Sequence, residues 1–271
     1  MPPSVQRINT ARARSFITRL PLFTRCASSI LVLLWIVSLQ SSFDIFDWGC
    51  LKPTELNFAQ SYRLNTYPIV HLSVLHLLGN VFTLTPLMER FELEYGTLTT
   101  LAMFAGPLAT LPAFLYIFIE RVLLRGATPI AGASIWVFLL IAMEATKTAR
   151  TNPHFMLGPY KIPTWTTPLG GLVVVAALVP SSSFLGHVCG VAVGYICGMG
   201  YIKYLAPPER ILRWVESKLN LLAILPHYVS VDQKTYGRFG VLPTSGQPLA
   251  TSSNPPAAFL AANGSGQRLG P

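Results

Sequence analysis

Charge is scarce in this sequence, and acidic charge is scarcer still. Charged residues make up 11% of the 271 positions, with 11 Asp and Glu against 20 Lys and Arg. A soluble globular domain usually carries about a quarter charged residues, so a surface that faces water on all sides is excluded. Cysteine is sparse as well. Cys26, Cys50, Cys189 and Cys197 have no zinc-ligand spacing; Cys50 lacks an obvious disulfide partner, and Cys189 and Cys197 suit small packing positions. The net charge of +9 does not describe a nucleic-acid surface, because the basic residues border apolar runs instead of gathering in one domain. Membrane orientation accounts for them better. A transporter or channel fits poorly, since the spans carry no paired charges and no inverted repeat is detectable.

What is abundant is apolar sequence, 51% of the chain. It predicts an all-α membrane protein of six spans: Cys26–Gln40 extended toward Phe46, Tyr67–Met88, Thr97–Ile119, Pro129–Ala145, Pro163–Val179 and Ser183–Leu205. Arg7, Arg12, Arg14, Arg19 and Arg25 precede the first span. With that end cytosolic, the same side also receives Arg90, Lys147, Arg150, Lys161, Lys203, Arg210, Arg213 and Lys218. The far side keeps only Lys52, Arg63, Arg121 and Arg125. Both termini are therefore predicted cytosolic. An Arg-rich, acid-free start is also the composition of a mitochondrial transit peptide, but topogenic charge explains it without cleavage. Four segments follow: a basic 1–25, a six-span 26–205, an amphipathic helix over 206–225 and a tail over 226–271. In the third, Ile211, Val215, Leu219 and Leu222 form one stripe, suited to the lipid interface or to packing on protein. The tail is dominated by Pro, Gly, Ser, Thr and Ala, a composition that predicts disorder.

Three polar clusters interrupt the apolar runs: His76-Leu-Leu-Gly-Asn80, Gly132-Ala-Ser134, and His187-Val-Cys-Gly190-Val-Ala-Val-Gly194. Alone, a membrane-embedded Ser usually bonds neighbouring backbone, and a lone His is more often a packing contact. Together they form a constellation, because intramembrane polar groups are costly unless they serve a site. Spans two, four and six enter from the same side, and His76, Ser134 and His187 sit about nine, six and five residues in, or about 7–13 Å deep. Ser134 needs a base, and His187 borders the face of Gly186, Gly190, Gly194 and Gly198, a stripe that permits close helix approach. Gly132 clears space beside Ser134. His76 and Asn80, four apart, share a face and with the Ser134 N–H suit an oxyanion hole. No acid lies at matching depth, so a Ser134–His187 dyad is predicted.

At these residues the chain resembles the rhomboid family of intramembrane serine proteases, over about residues 26–205. Tyr62-Arg63 is similar to its Trp-Arg element, with Tyr in place of Trp. His71-Leu-Ser-Val-Leu-His76-Leu-Leu-Gly-Asn80 resembles its second-helix signature, and Glu92-Leu-Glu-Tyr-Gly96 its Glu-x-x-x-Gly element. The resemblance implies Ser134 as nucleophile, His187 as general base, and His76 and Asn80 at the oxyanion. Gly132, Phe138, Gly190, Gly194, Arg63 and Glu92 support them; Phe138 stands where the family often stacks a Tyr on the histidine. Ile135 departs from the Gly usual after the nucleophile, a stiffer and bulkier residue that puts efficiency in question more than mechanism.

The resemblance implies no cofactor, and transmembrane proteins as substrates. The six-span layout, the Arg63–Glu92 wording and the long tail resemble the fungal secretory-pathway branch, implying a Golgi address, with the endoplasmic reticulum as the alternative. In the tail, Gly264, Gly266, Arg268 and Leu269 resemble the short box that docks the AAA segregase valosin-containing protein. The Phe expected at position 262 is missing, although Phe259 is near. The competing reading is a non-catalytic rhomboid-like adaptor that binds membrane clients and recruits that segregase.

Overall fold

The computed structural model describes residues 19–55, 57–179 and 182–235 of a mostly helical chain. Its long helices are α1 (Leu22–Val37), α2 (Val74–Tyr95), α3 (Thr97–Phe104), α4 (Pro107–Phe118), α5 (Ser134–Thr151), α6 (Thr167–Leu178), α7 (Phe184–Ile196) and α8 (Glu209–Leu219). By length and composition, Thr97–Leu123, which joins α3 and α4, and Phe184–Leu205, which continues α7, can cross a membrane. A third joins residues 58–69 to α2 across a 78° bend. The runs expected as first and fifth spans form shorter apolar helices, Leu22–Val37 and Thr164–Leu178.

Two of the expected span starts need correction. The apolar pattern starts the second span at Tyr67, but the continuous helix starts at Val74, where the Ser73 hydroxyl accepts the His76 N–H at 3.2 Å and caps it. The pattern starts the fourth at Pro129, which would put Ser134 about six residues into a helix. Instead residues 129–133 run up to the helix without joining it, and Ser134 is the first helical residue of α5. Gly132, at φ +120°, makes the turn, a conformation only glycine adopts cheaply.

α5 is enclosed along its first three turns, with Ile135, Leu139, Leu140, Ala142 and Met143 all buried. α7 lies against it because three glycines remove the side chains between them. A Cβ on Gly190 would stand 2.5 Å from the Ile135 carbonyl oxygen, one on Gly194 2.2 Å from that of Leu139, and one on Gly198 2.8 Å from that of Met143. Gly186, expected in the same stripe, instead meets its own N-cap Ser183 and Ile130. Between α5 and α6, His154–Leu157 and Tyr160–Pro163 pair as an antiparallel hairpin turning at Gly158.

Glu92, fully buried, fastens α1 to α2. Its carboxylate accepts the N–H groups of Phe23 and Thr24 at 2.8 Å each and the hydroxyls of Thr24 at 2.9 Å and Thr97 at 2.6 Å. The first turn of α1 has no intrahelical acceptors for these N–H groups, and a negative charge suits that end of a helix. Glu92 lies sixteen residues beyond His76, about 24 Å along α2. Its support is of the fold, at the end remote from Ser134.

The composition of the tail predicts disorder from Pro226, and the described part of it is not disordered. Tyr228, Val229, Ser230 and Val231 are buried. The carbonyl of His227 accepts the Leu22 N–H at 2.9 Å, that of Val229 accepts the Thr97 N–H at 2.8 Å, and the Thr235 N–H donates to Leu93 at 3.1 Å. A short apolar, β-branched stretch offsets its ordering cost locally, although the average composition of the tail hides it. The same strap holds α8. Glu216 accepts the Tyr228 hydroxyl at 2.8 Å and the Val231 N–H at 2.9 Å, Lys234 pairs with Glu209, and Arg213 with Asp232. Residues 236–271, and with them Gly264, Gly266, Arg268 and Leu269, lie outside the described residues.

Hydrogen bonding from Lys234 holds the Glu209 carboxyl below its usual range. A depressed carboxylate contributes stability that is complete above about pH 4.3, the ordinary glutamate value, and is lost as pH falls through the folded value. Hydrogen exchange at residues 227–235 is therefore expected to be flat from pH 7 to 5 after correction for intrinsic rates, and to accelerate below about pH 4. Lys234→Ala should shrink that acid-dependent step, leaving only the part that Arg213 contributes.

Candidate active site

The turn that delivers Ser134 is tethered along its length. Ile130 and Leu51 exchange backbone hydrogen bonds of 2.8 and 3.0 Å, and the Gly132 N–H donates to the Tyr67 carbonyl at 2.8 Å. The Ala133 N–H donates to His71 Nε2 at 3.2 Å. The Leu51 end of this support is itself braced by Arg63, whose guanidinium donates to the carbonyls of Asp47 at 2.6 Å and Cys50 at 2.9 Å. Arg63 therefore acts on the loop that supports the turn, without touching Ser134 itself.

At the end of the turn, Ser134 Oγ lies 2.9 Å from His187 Nε2. With the ring neutral and its hydrogen on Nδ1, the hydroxyl donates and Nε2 accepts. His187 is buried, and the Phe138 ring lies over its imidazole with centroids 4.5 Å apart and planes 31° from parallel. Phe138 is one turn after Ser134 on α5, so the same helix presents the hydroxyl and the surface that fixes the ring. Ile135, buried between these two residues, lies along the glycine face of α7 with its carbonyl opposite Gly190. Glycine missing at position 135 is offset by glycine present at 190.

On the other side of Ser134, α2 presents His76 and Asn80. The His76 ring edge meets Gly132, where a Cβ would stand 2.5 Å from its Cε1. Its Nε2 is buried without a hydrogen-bond partner, an unusual state for a ring nitrogen and one that suits a group held ready for a ligand atom. Asn80 is buried, and its Nδ2 is 3.0 Å from His71 Nε2. The second hydrogen of that amide is left for another acceptor. Thus Ser134, His187 and Phe138 meet directly, Gly132 meets His76, Asn80 is joined through His71 to the residue before Ser134, and Gly190 and Gly194 set the helix spacing.

Sequence reasoning missed His71. It counts there only as the first residue of the second-helix signature, yet it is buried, bonded to Ala133 and Asn80, and 5.2 Å from the His76 ring edge-on. A signal was available, since a second histidine beside an apolar run carries the same desolvation cost as the first. Among the described residues, no group of three or more His, Cys, Asp or Glu gathers to hold a metal ion.

A half-buried serine on a buried histidine, at the head of a helix and flanked by an Asn–His pair, joins the sequence motifs in one place. Residues 59–204 match the family described as the rhomboid domain. The chain belongs to the rhomboid family. It is 55% identical over 271 residues to rhomboid-type serine protease 2 of Gibberella zeae, covering 100% of both chains. Its identity to the protein of that name from Podospora anserina is 52% over 292 residues, again 100% of both. To that of Saccharomyces cerevisiae it is 36% over 181 residues, 65% of this chain and 68% of the relative. Rhomboid similarity thus extends beyond the helices into the segments on either side of them.

Proposed function

We propose that this rhomboid chain is an intramembrane serine endopeptidase that cleaves peptide bonds in or near the transmembrane segments of other membrane proteins. The observation that carries this reading is the 2.9 Å contact between Ser134 Oγ and His187 Nε2. Ser134 Oγ attacks the scissile carbonyl carbon while its proton passes to His187 Nε2. The C–N bond then breaks, His187 returns that proton to the leaving amine, and an acyl-serine remains. A water molecule, deprotonated by His187, then attacks the acyl carbon; the bond to Ser134 Oγ breaks, His187 returns the proton to that oxygen, and the acid is released. The negative oxygen of each tetrahedral intermediate is met by the Ser134 N–H, the Asn80 amide and the His76 ring, beside the positive end of α5. Phe138 holds the His187 ring without an acidic third member.

In this reading the chain makes six passes with both termini cytosolic, in the Golgi membrane, with the endoplasmic reticulum as the alternative. The strap occupies both acids near the ends of α8, Glu209 and Glu216. Exposed Ile211 and Trp214 then share the opposite side of the helix with Lys218, a pattern that suits the cytosolic lipid interface. The tail residues Gly264, Gly266, Arg268 and Leu269 would dock the AAA segregase, adding recruitment to proteolysis. Loss of segregase capture on deleting the last ten residues supports that docking; unchanged capture rejects it.

The deciding experiment places purified protein in proteoliposomes with single-span reporters of graded helix stability. Cleavage that depends on Ser134 and rises as the reporter helix unwinds supports the proposal, because a closed helix hides its scissile bond. Binding of the reporters without any cleavage would support the adaptor instead.

A further inference from the structure

We infer that His71 is a positioning residue for the oxyanion side of the site, holding two of its groups through one ring nitrogen. The inference rests on the protease reading above. His71 lies in the break before α2, so it belongs neither to the helix that carries His76 and Asn80 nor to the turn that delivers Ser134. Its Nε2 faces both. It accepts the Ala133 N–H at 3.2 Å and lies 3.0 Å from the Asn80 amide nitrogen.

Each bond constrains a different donor. Ala133 is the residue before the nucleophile, so fixing its N–H fixes the 132–133 peptide plane and, through one more residue, the direction of the Ser134 N–H. At Asn80, occupying one amide hydrogen settles the rotation of the carboxamide and directs the second hydrogen. Both donors share the single lone pair of Nε2, so Nε2 is unprotonated and the ring hydrogen sits on Nδ1. The His71 ring also meets the His76 ring edge-on at 5.2 Å, and the His76 Cε1–Nε2 edge meets Gly132. A residue that never touches substrate thereby contacts, directly or through one neighbour, all three proposed oxyanion donors.

The acceptor, more than the bulk of the ring, is what the site requires. Glutamine extends its carbonyl oxygen to roughly the reach of Nε2, whereas asparagine stops near Nδ1 and leucine offers no acceptor. Losing one oxyanion donor outright typically costs about 10²–10³ in kcat, so loosening two without removing either should cost about tenfold or more. His71→Leu and His71→Asn are expected to lower kcat by that amount with KM unchanged, and His71→Gln to restore most of it. In an Asn80→Ala background the loss on His71→Leu should be smaller, because one of the two donors it acts on is gone.

The test is steady-state cleavage of a single-span reporter in proteoliposomes by these variants, with thermal midpoints measured in parallel. A Leu variant with the wild-type kcat overturns the inference, provided that cleavage by wild type depends on Ser134. So does a Gln variant as impaired as Leu at the same midpoint, since that pattern follows the shape of the ring and not its acceptor. If Leu fails to fold, the Gln and Asn variants, both polar and differing only in reach, decide the same question. Wild type without any Ser134-dependent cleavage removes this inference together with the protease reading, an outcome distinct from either of the others.

Discussion

Ser134→Ala is expected to leave no turnover of a single-span reporter, and His187→Ala to leave a trace. Removing a nucleophile or its base from a serine protease typically lowers kcat by about 10⁴–10⁶-fold. The two losses should not multiply. Ser134 and His187 act as one unit through their 2.9 Å contact, so the double variant should fall no further than Ser134→Ala alone. Stability should barely change in Ser134→Ala, since the hydroxyl bonds one ring nitrogen and the backbone turn is held elsewhere, by Leu51, Tyr67 and His71. Removal of His187 is different: it empties a buried site under Phe138 and should lower the thermal midpoint as well as activity. A fluorophosphonate probe separates the roles. It should label wild type, fail on Ser134→Ala and react slowly with His187→Ala. Turnover by Ser134→Ala equal to wild type would remove the proposed site altogether.

The site was more legible than the frame that holds it. Ser134, His187, His76 and Asn80 stand out because polar groups inside apolar runs carry a cost that demands a reason, and that argument needs no coordinates. Depth along a span was the weaker guide. Counting from Pro129 treats residues 129–133 as helix, whereas Gly132 at φ +120° ends any helical continuity before Ser134. The residues still meet because the turn is pinned by Leu51 and Tyr67, partners distant in sequence that no local pattern reveals. His71 escaped for the same reason: its importance lies in a bond to Ala133, 62 residues away. The strap escaped for another. A composition averaged over residues 226–271 is that of a disordered tail, and four buried residues, 228–231, are too few to move the average. Glycine periodicity was legible in part. Spacing alone groups Gly186 with Gly190, Gly194 and Gly198, and only geometry separates the one that meets its own cap from the three that meet α5.

That separation carries the second large effect, at Gly194. A Cβ there would lie 2.2 Å from the Leu139 carbonyl oxygen and 2.8 Å from the Ala142 Cβ. Neither atom belongs to a flexible side chain that can turn aside, so Gly194→Ala must drive α7 and α5 apart. Overpacking of this kind typically costs about 1–3 kcal/mol, and alanine recovers about 1 kcal/mol of helix propensity in return. The catalytic cost should be larger than the net change in stability. His187 rides on α7 and Ser134 on α5, so any separation of the two lengthens a 2.9 Å hydrogen bond that proton transfer requires. Gly194→Ala is therefore expected to lose about one hundredfold or more in kcat, on the scale of a small misplacement at a catalytic pair, while lowering the thermal midpoint only modestly. Gly170→Ala is the control, because a Cβ on Gly170 of α6 meets nothing within 4 Å. It gains the same propensity without the clash, and its midpoint should stay level or rise. Equal activity in the two variants would mean that α7 and α5 tolerate separation, and that the glycine contact does not set the spacing of Ser134 and His187.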